Sequence, residues 1–130
     1  MRRRVAAARV AHMGTIRTDG RPHVVVLCFV LEGDVIYSAI DAKPKSTSNL
    51  MRLDNVRSNP GVELLVDHYE DDWTRLWWVR VGGTGRVVEQ SDHGLERLVQ
   101  KYDQYKAQPP AGPFIEIITT TWRGWEAVSR

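Results

Sequence analysis

Two lysines and a run of hydroxyl residues are the side chains of this chain best placed to do chemistry. Lys43 and Lys45 precede Ser46, Thr47 and Ser48, and the segment from there to Pro60 reads as a helix, with Leu50, Leu53 and Val56 every three positions and Asn59-Pro60 closing it. A helix start leaves backbone N–H groups without partners. Hydroxyls and ammonium groups beside them make an anion site, for which phosphate is the natural guest. The same residues would also serve as an ordinary cap behind a solvated basic turn, and locally both readings stand.

The other reactive types are scattered. His12, His23, His68 and His93 share no ligand spacing, and Cys28 lies inside an apolar run, so a metal site is not expected. Cys28 reads as a small buried side chain rather than a nucleophile. Asp67, Glu70, Asp71 and Asp72 could supply a general base, but they read first as a solvated acidic loop. There is no nucleophile elbow, phosphate-binding glycine loop or dinucleotide glycine motif. If the protein is an enzyme, its reactive atoms belong to a cofactor that the chain positions. Trp77 and Trp78 fit such a role: adjacent on a strand, they face opposite sides, one toward a core and one toward a surface or interface where a flat ring could lie. Packing alone would explain them too.

The elements that must hold these residues are mostly strands. Arg2–Ala11 is a short alanine-rich helix; His12–Arg17 is a strand ending in the Asp19-Gly20 turn. Val24–Leu31 is an unbroken apolar run, expected to be a central strand covered on both faces. Glu32-Gly33-Asp34 turns into Val35–Ile40, and the basic turn and helix come next. Gly61–His68 is a strand, Tyr69–Arg75 the acidic loop, and Leu76–Val81 opens a long strand that Gly82, Gly83 and Gly85 let bend before Arg86–Glu89. Ser91 caps an amphipathic helix carrying Leu95, Leu98, Val99, Tyr102 and Tyr105, which the Pro109-Pro110 region ends; Phe114–Trp122 is a β-branched final strand. This order predicts a single domain over residues 1–130, a mainly β fold: a closed six-stranded antiparallel barrel with two to three short helices, not an α/β sheet.

Composition narrows the field. With 18 basic and 16 acidic residues the net charge is only +2, and the basic residues form no stripe, so nucleic acid is not an expected partner. One cysteine excludes an internal disulfide framework. Met1–Arg4 resembles the basic start of a signal peptide, but Arg9 and His12 interrupt the apolar run that a signal peptide needs next, and a cytoplasmic location is expected. No segment is long and apolar enough for a membrane helix.

The stretches YSAIDAKPKSTSNLMRLDNVRSNPGVELLVDHY and DDWTRLWWVRVGGTGRVVE together resemble the pyridoxamine-phosphate-oxidase-like class of split-barrel flavoproteins. Within that class the H-Y-x-D-D-W-x-x-L-W-W-V-R pattern is similar to the actinobacterial branch of coenzyme F420-dependent enzymes. The likeness runs from about Ala6 to Ala127. It implies an FMN-binding type of split barrel and a homodimer whose cofactor lies in a groove between subunits. By that resemblance Val24, Val25 and Val26 line the ring, largely through backbone groups. Tyr37 to Ile40 contact the phosphate-bearing arm, with Ser38 as a hydroxyl donor, Lys43, Lys45 and Ser46 hold the phosphate, and Asn49 supports them from the helix. Arg75 pairs with an acidic part of the cofactor, while Trp77 and Trp78 come from the other subunit.

Two departures qualify the resemblance. The chain ends Trp122-Arg123-Gly124-Trp125-Glu126 and lacks the Arg-x-His pattern of true pyridoxamine phosphate oxidases, so vitamin B6 oxidation is not expected. Val26 stands where many relatives have proline. The implied activity is a deazaflavin-dependent oxidoreductase passing hydride from reduced F420 to an unsaturated small molecule. The alternatives are an FMN-dependent enzyme and a carrier that binds a cofactor without turnover.

Overall fold

The computed structural model describes residues 1–40 and 47–128. Seven strands form one antiparallel sheet: β1 (Ala11–Ile16), β2 (Pro22–Leu27), β3 (Val30–Glu32), β4 (Val35–Ala39), β5 (Gly61–His68), β6 (Trp77–Val88) and β7 (Phe114–Glu126). Helices α1 (Arg2–Ala7), α2 (Thr47–Ser58), α3 (Asp92–Lys101) and α4 (Asp103–Ala107) accompany it, with a 3-10 turn at Trp73–Arg75.

The strand order β2-β1-β5-β6-β7-β4-β3 dictates the shape. Only Cys28 and Phe29 separate β2 from β3, yet these strands are the opposite edges of the sheet. Laid flat, seven strands would set the edges roughly 29 Å apart, whereas the link from Leu27 to Val30 reaches about 11 Å at most. The sheet must therefore curl until its edges meet. Among the described residues no ladder joins β2 to β3, so the result is a split barrel, mainly β as the sequence implies, and not a hydrogen-bond-closed one.

The count of seven strands instead of six comes from the run Val24–Leu31. It is not one central strand but two edge strands joined by a corner. Its apolar character has three sources: Leu27 faces the core, Phe29 is fully buried at the corner, and Val24 and Val26 lie on the outside of the sheet. The corner leaves backbone groups with no strand to pair with, and Tyr102 meets them. Its hydroxyl accepts from Phe29 N–H at 3.0 Å and shares its proton between the carbonyls of Phe29 (2.9 Å) and Arg9 (2.8 Å). The Lys101 ammonium donates to the same Phe29 carbonyl at 2.8 Å and lies 4.1 Å from the Phe29 ring centroid. Burial pushes the Tyr102 phenol up to about 12, and burial, then the Arg9 charge, pull Lys101 down to about 8.

Tyr102 also explains why the helix expected to run through Tyr105 is two helices. At Tyr102 the backbone is extended, with φ −117° and ψ 121°, ending α3 and starting α4. Alternate residues of the strands fill the barrel, among them Met13, Leu64, Val79, Val81, Ile115 and Ile117. Helix α2 contributes Leu53 and Val56, while Leu50, expected on the same stripe, is 50% exposed. Asn55 ties this helix to β1 by donating to Thr15 Oγ1 at 3.0 Å. β6 bends at a bulge between Gly82 and Gly83, where a Cβ on Gly83 would meet the Ile118 carbonyl oxygen at 2.5 Å. Among the described residues no helix is long and apolar enough to cross a membrane.

Candidate functional site

Strand register decides which side chains share the outer face. On β6, Val79 and Val81 are buried, so Trp78 and Arg80 point outward. Trp78 pairs with Asp67 of β5 and Trp125 of β7, and Arg80 pairs with Leu65 and Arg123. Continuing across β1 to the edge, Leu65 meets His12 and His12 meets Val26. The outer face therefore carries one row of Val26, His12, Leu65, Arg80 and Arg123, beside a shorter row of Asp67, Trp78 and Trp125. Its apolar members are well exposed: Val24 67%, Val26 56%, Trp125 48% and Leu65 38%. So much apolar surface across adjacent strands marks a face that something covers.

At one corner this face deepens into a cleft of about 310 Å³. Trp77, Trp78 and Trp125 line it together with His68, Tyr69 and Arg80. Trp77 and Trp78 divide as their adjacency requires. Trp77 packs partly on the core, with the His68 ring stacked at 6.3 Å and the Arg4 guanidinium 4.9 Å over it. Trp78 faces the cleft with the Arg80 guanidinium 5.5 Å from its ring centroid.

The acidic loop at the rim is internally braced rather than poised as a base. His68 bonds Glu70, and Arg75 Nε lies 3.4 Å from the same carboxylate. Asp72 accepts from Thr74 N–H at 3.1 Å and from its hydroxyl at 2.6 Å, capping the Trp73–Arg75 turn. Those two bonds hold the Asp72 carboxyl below the usual carboxylate range.

The residues expected at a cofactor site separate into groups. Val24 and Val26 are exposed on edge strand β2, with Val25 turned toward the core. Among the described residues β2 pairs only with β1, so its other margin belongs to no ladder. Trp78 is on the same face but three strands away, about 14 Å at ordinary strand spacing, so one chain does not bring the valines and the indole into one cleft. Ser38 is not the hydroxyl donor expected for the phosphate-bearing arm: it is fully buried, and its hydroxyl donates to the Cys28 carbonyl at 2.8 Å, so its side chain closes the barrel corner. Ile40 is buried as well, with its N–H given to Pro113 at 2.9 Å. Arg75 is exposed and paired with Glu70. Lys43, Lys45 and Ser46 lie outside the described residues, as does the Asn49 side chain.

Sequence reasoning missed Arg80, Arg123 and Trp125. The signal was present for Arg80, two residues beyond Trp78 in a period-2 strand. Arg123 and Trp125 show the same alternation, but only once the last strand is known to continue to Glu126. Among the described residues no group of His, Cys, Asp and Glu side chains could hold a metal ion.

A family model described as pyridoxamine 5'-phosphate oxidase matches residues 1–126. No curated protein matches the chain. Among solved structures, a conserved hypothetical protein of Mycobacterium tuberculosis is similar with a TM-score of 0.74 and 20% identity, over 95% of this chain and 81% of that one. A FAD-binding protein from Mesorhizobium loti gives 0.70 and 22%, over 95% and 89% of the two chains. An F420 reductase gives 0.66 and 21%, over 93% and 94%. At these identities the likeness to solved structures is one of fold.

Proposed function

The chain belongs to the pyridoxamine 5'-phosphate oxidase family, and on that premise we propose that it is an oxidoreductase dependent on coenzyme F420, held in a groove between two copies of the chain. The observation that carries this reading is the outer face. Exposed Val24 and Val26 flank an open strand edge, and an indole-lined cleft lies at the far side of the same sheet, too distant to serve one ring within one chain. A second copy laid face to face brings one copy's edge against the other's cleft and covers the apolar surface of both.

In that arrangement Val24, Val25 and Val26 hold the ring through the backbone of β2. Trp77 and Trp78 of the other copy form the wall of the groove that faces it. Lys43, Lys45, Ser46 and Asn49 take the phosphate, and Arg75 an acidic group of the tail. Ser38 and Ile40 contribute only backbone beside the phosphate arm, because both side chains face inward. When bound, such a cofactor supplies hydride for an unsaturated small molecule. The protein aligns donor and acceptor and excludes water, and the apolar residues of the face suit both tasks. Resemblance to the F420 reductase fold supports the reading.

FMN is the alternative, favoured by the likeness to a FAD-binding protein; it needs the same phosphate turn but fewer cations. Fluorescence titration with F420 and with FMN, alongside sedimentation equilibrium, separates these readings. Saturable F420 binding by a dimer is expected. Tight FMN binding without F420 binding selects the alternative, and a monomer that binds neither overturns the proposal.

A further inference from the structure

Arg80 and Arg123 present a pairing that a sheet does not keep for its own stability. They are directly opposite on β6 and β7, both exposed and both outward. Like charges in that position repel. Among the described residues neither makes an ion pair: Asp67 lies diagonally from Arg80 on β5, but no salt bridge forms between them, and the only partner of the Arg80 guanidinium is the Trp78 ring. Several other surface arginines do pair, Arg2 with Asp34, Arg4 with Glu126 and Arg86 with Glu116, although among the described residues the exposed Arg3 and Arg21 do not.

One step along the same strands stand Trp78 and Trp125, also directly opposite each other and both lining the cleft. Two indoles and two uncompensated guanidiniums thus form a two-by-two block on the outer face. The indoles offer apolar rings on which a flat molecule can lie. The guanidiniums offer forked donors suited to a carboxylate at its edge. A cleft of about 310 Å³ is at the small end for ligand pockets and suits one or two fused rings rather than a whole dinucleotide-sized cofactor.

We propose that this block binds a small planar conjugated carboxylate, with its ring on the Trp78–Trp125 shelf and its anionic end between Arg80 and Arg123. Resting on the functional reading above, this molecule is the acceptor for reduced F420: hydride adds to one carbon of its conjugated C=C bond, the π pair of that bond takes a proton from solvent at the other carbon, and the cofactor is left oxidised, while the shelf takes the face turned away from the cofactor.

The test uses 2-naphthoate and its uncharged isostere 2-naphthamide as probes, titrated calorimetrically into the full chain and into Arg80→Gln, Arg123→Gln and Trp125→Leu variants. Both arginines are exposed, so their replacement leaves the fold intact, which circular dichroism checks. Naphthoate should bind at least tenfold more tightly than the amide, the scale of one charge-assisted hydrogen bond. Either arginine substitution should remove most of that preference, and Trp125→Leu should weaken both probes together. Equal binding of the two probes, or a preference that survives both arginine substitutions, overturns the inference.

F420 titrated into the same variants identifies which molecule the block serves. Arginine variants that lose F420 while keeping the naphthoate preference would show that these cations serve the cofactor, which also overturns it. A wild-type chain that binds neither F420 nor FMN but keeps the naphthoate preference sinks the cofactor reading and leaves the carboxylate site standing.

Discussion

Replacing Tyr102 with phenylalanine tests the account of how the barrel is held at its split. The ring stays in place and only the hydroxyl is lost, so packing around Ala39, Leu98 and Phe114 is preserved. The hydroxyl meets three backbone groups, and they do not suffer equally. The Phe29 carbonyl retains the Lys101 ammonium at 2.8 Å. The Phe29 N–H loses its acceptor at 3.0 Å in a buried corner. Leaving one buried donor unsatisfied costs about 1–3 kcal/mol. Tyr102→Phe should therefore be less stable by about 2 kcal/mol, with a fall in melting temperature on the order of 5–10 °C for a domain of this size. Urea unfolding measures the first quantity, and an unchanged denaturant slope would show that the change lies in the folded state. Amide exchange at Phe29 should accelerate more than exchange at Met13 in the barrel core. A loss below about 0.5 kcal/mol, or no selective exposure of Phe29, would refute the claim that this hydroxyl stands in for the missing strand pairing.

Other expectations concern pH, assembly and the cofactor. Lys101 sits at about 8 in the folded chain and near 10.5 when unfolded, so between those values the unfolded chain holds the extra proton and stability rises with pH. Tyr102, at about 12 folded and near 10 unfolded, reverses this: above pH 10 the folded chain holds the extra proton and stability falls. Urea midpoints at pH 7.5, 9.5 and 11.5 should thus rise and then drop, and Lys101→Met should flatten the rise; a monotonic profile would contradict the assignment. Val24→Asp together with Val26→Asp should yield a folded monomer in sedimentation equilibrium, since both side chains are exposed in the single chain, whereas a dimer that persists would place the interface elsewhere. Lys45→Ala should weaken cofactor binding by roughly 1.5–3 kcal/mol, as for one charge-assisted bond, and an unchanged dissociation constant would remove the phosphate assignment.

Much of the fold could be read locally. β5 is Gly61–His68 as expected, because the helix-ending Asn59-Pro60 and the acidic loop bound it explicitly, and every second residue from Val62 to Val66 is buried. The split of Trp77 and Trp78 to opposite sides followed from strand period alone. The failures have a common cause. Val24–Leu31 looked continuous because an apolar residue reads the same whether it faces a core, a corner or an uncovered outer face. The helix break at Tyr102 was invisible because its reason, an orphaned N–H at Phe29, lies 73 residues away in sequence. The last strand runs past Trp122 because Trp77–Arg80 supply its hydrogen bonds, although Arg-Gly-Trp-Glu has little strand character of its own. At the candidate site, the outward indole was legible and the arginine pair was not, since cross-strand neighbours exist only once register is known.

The order of strands also bears on how the chain comes together during synthesis. The first two hairpins, β1-β2 and β3-β4, form the two margins of the sheet, and the three strands that join them all follow both hairpins in the chain. β4 pairs early with β3, but its other neighbour, β7, emerges only later. Until then the early hairpins are held apart from any common sheet, and the barrel cannot be assembled piecewise from its beginning. Such long-range closure is slow. A sheet that spans the barrel exists only once β7 has been made, because β7 is the strand that joins β6 to β4 and so brings the two halves together.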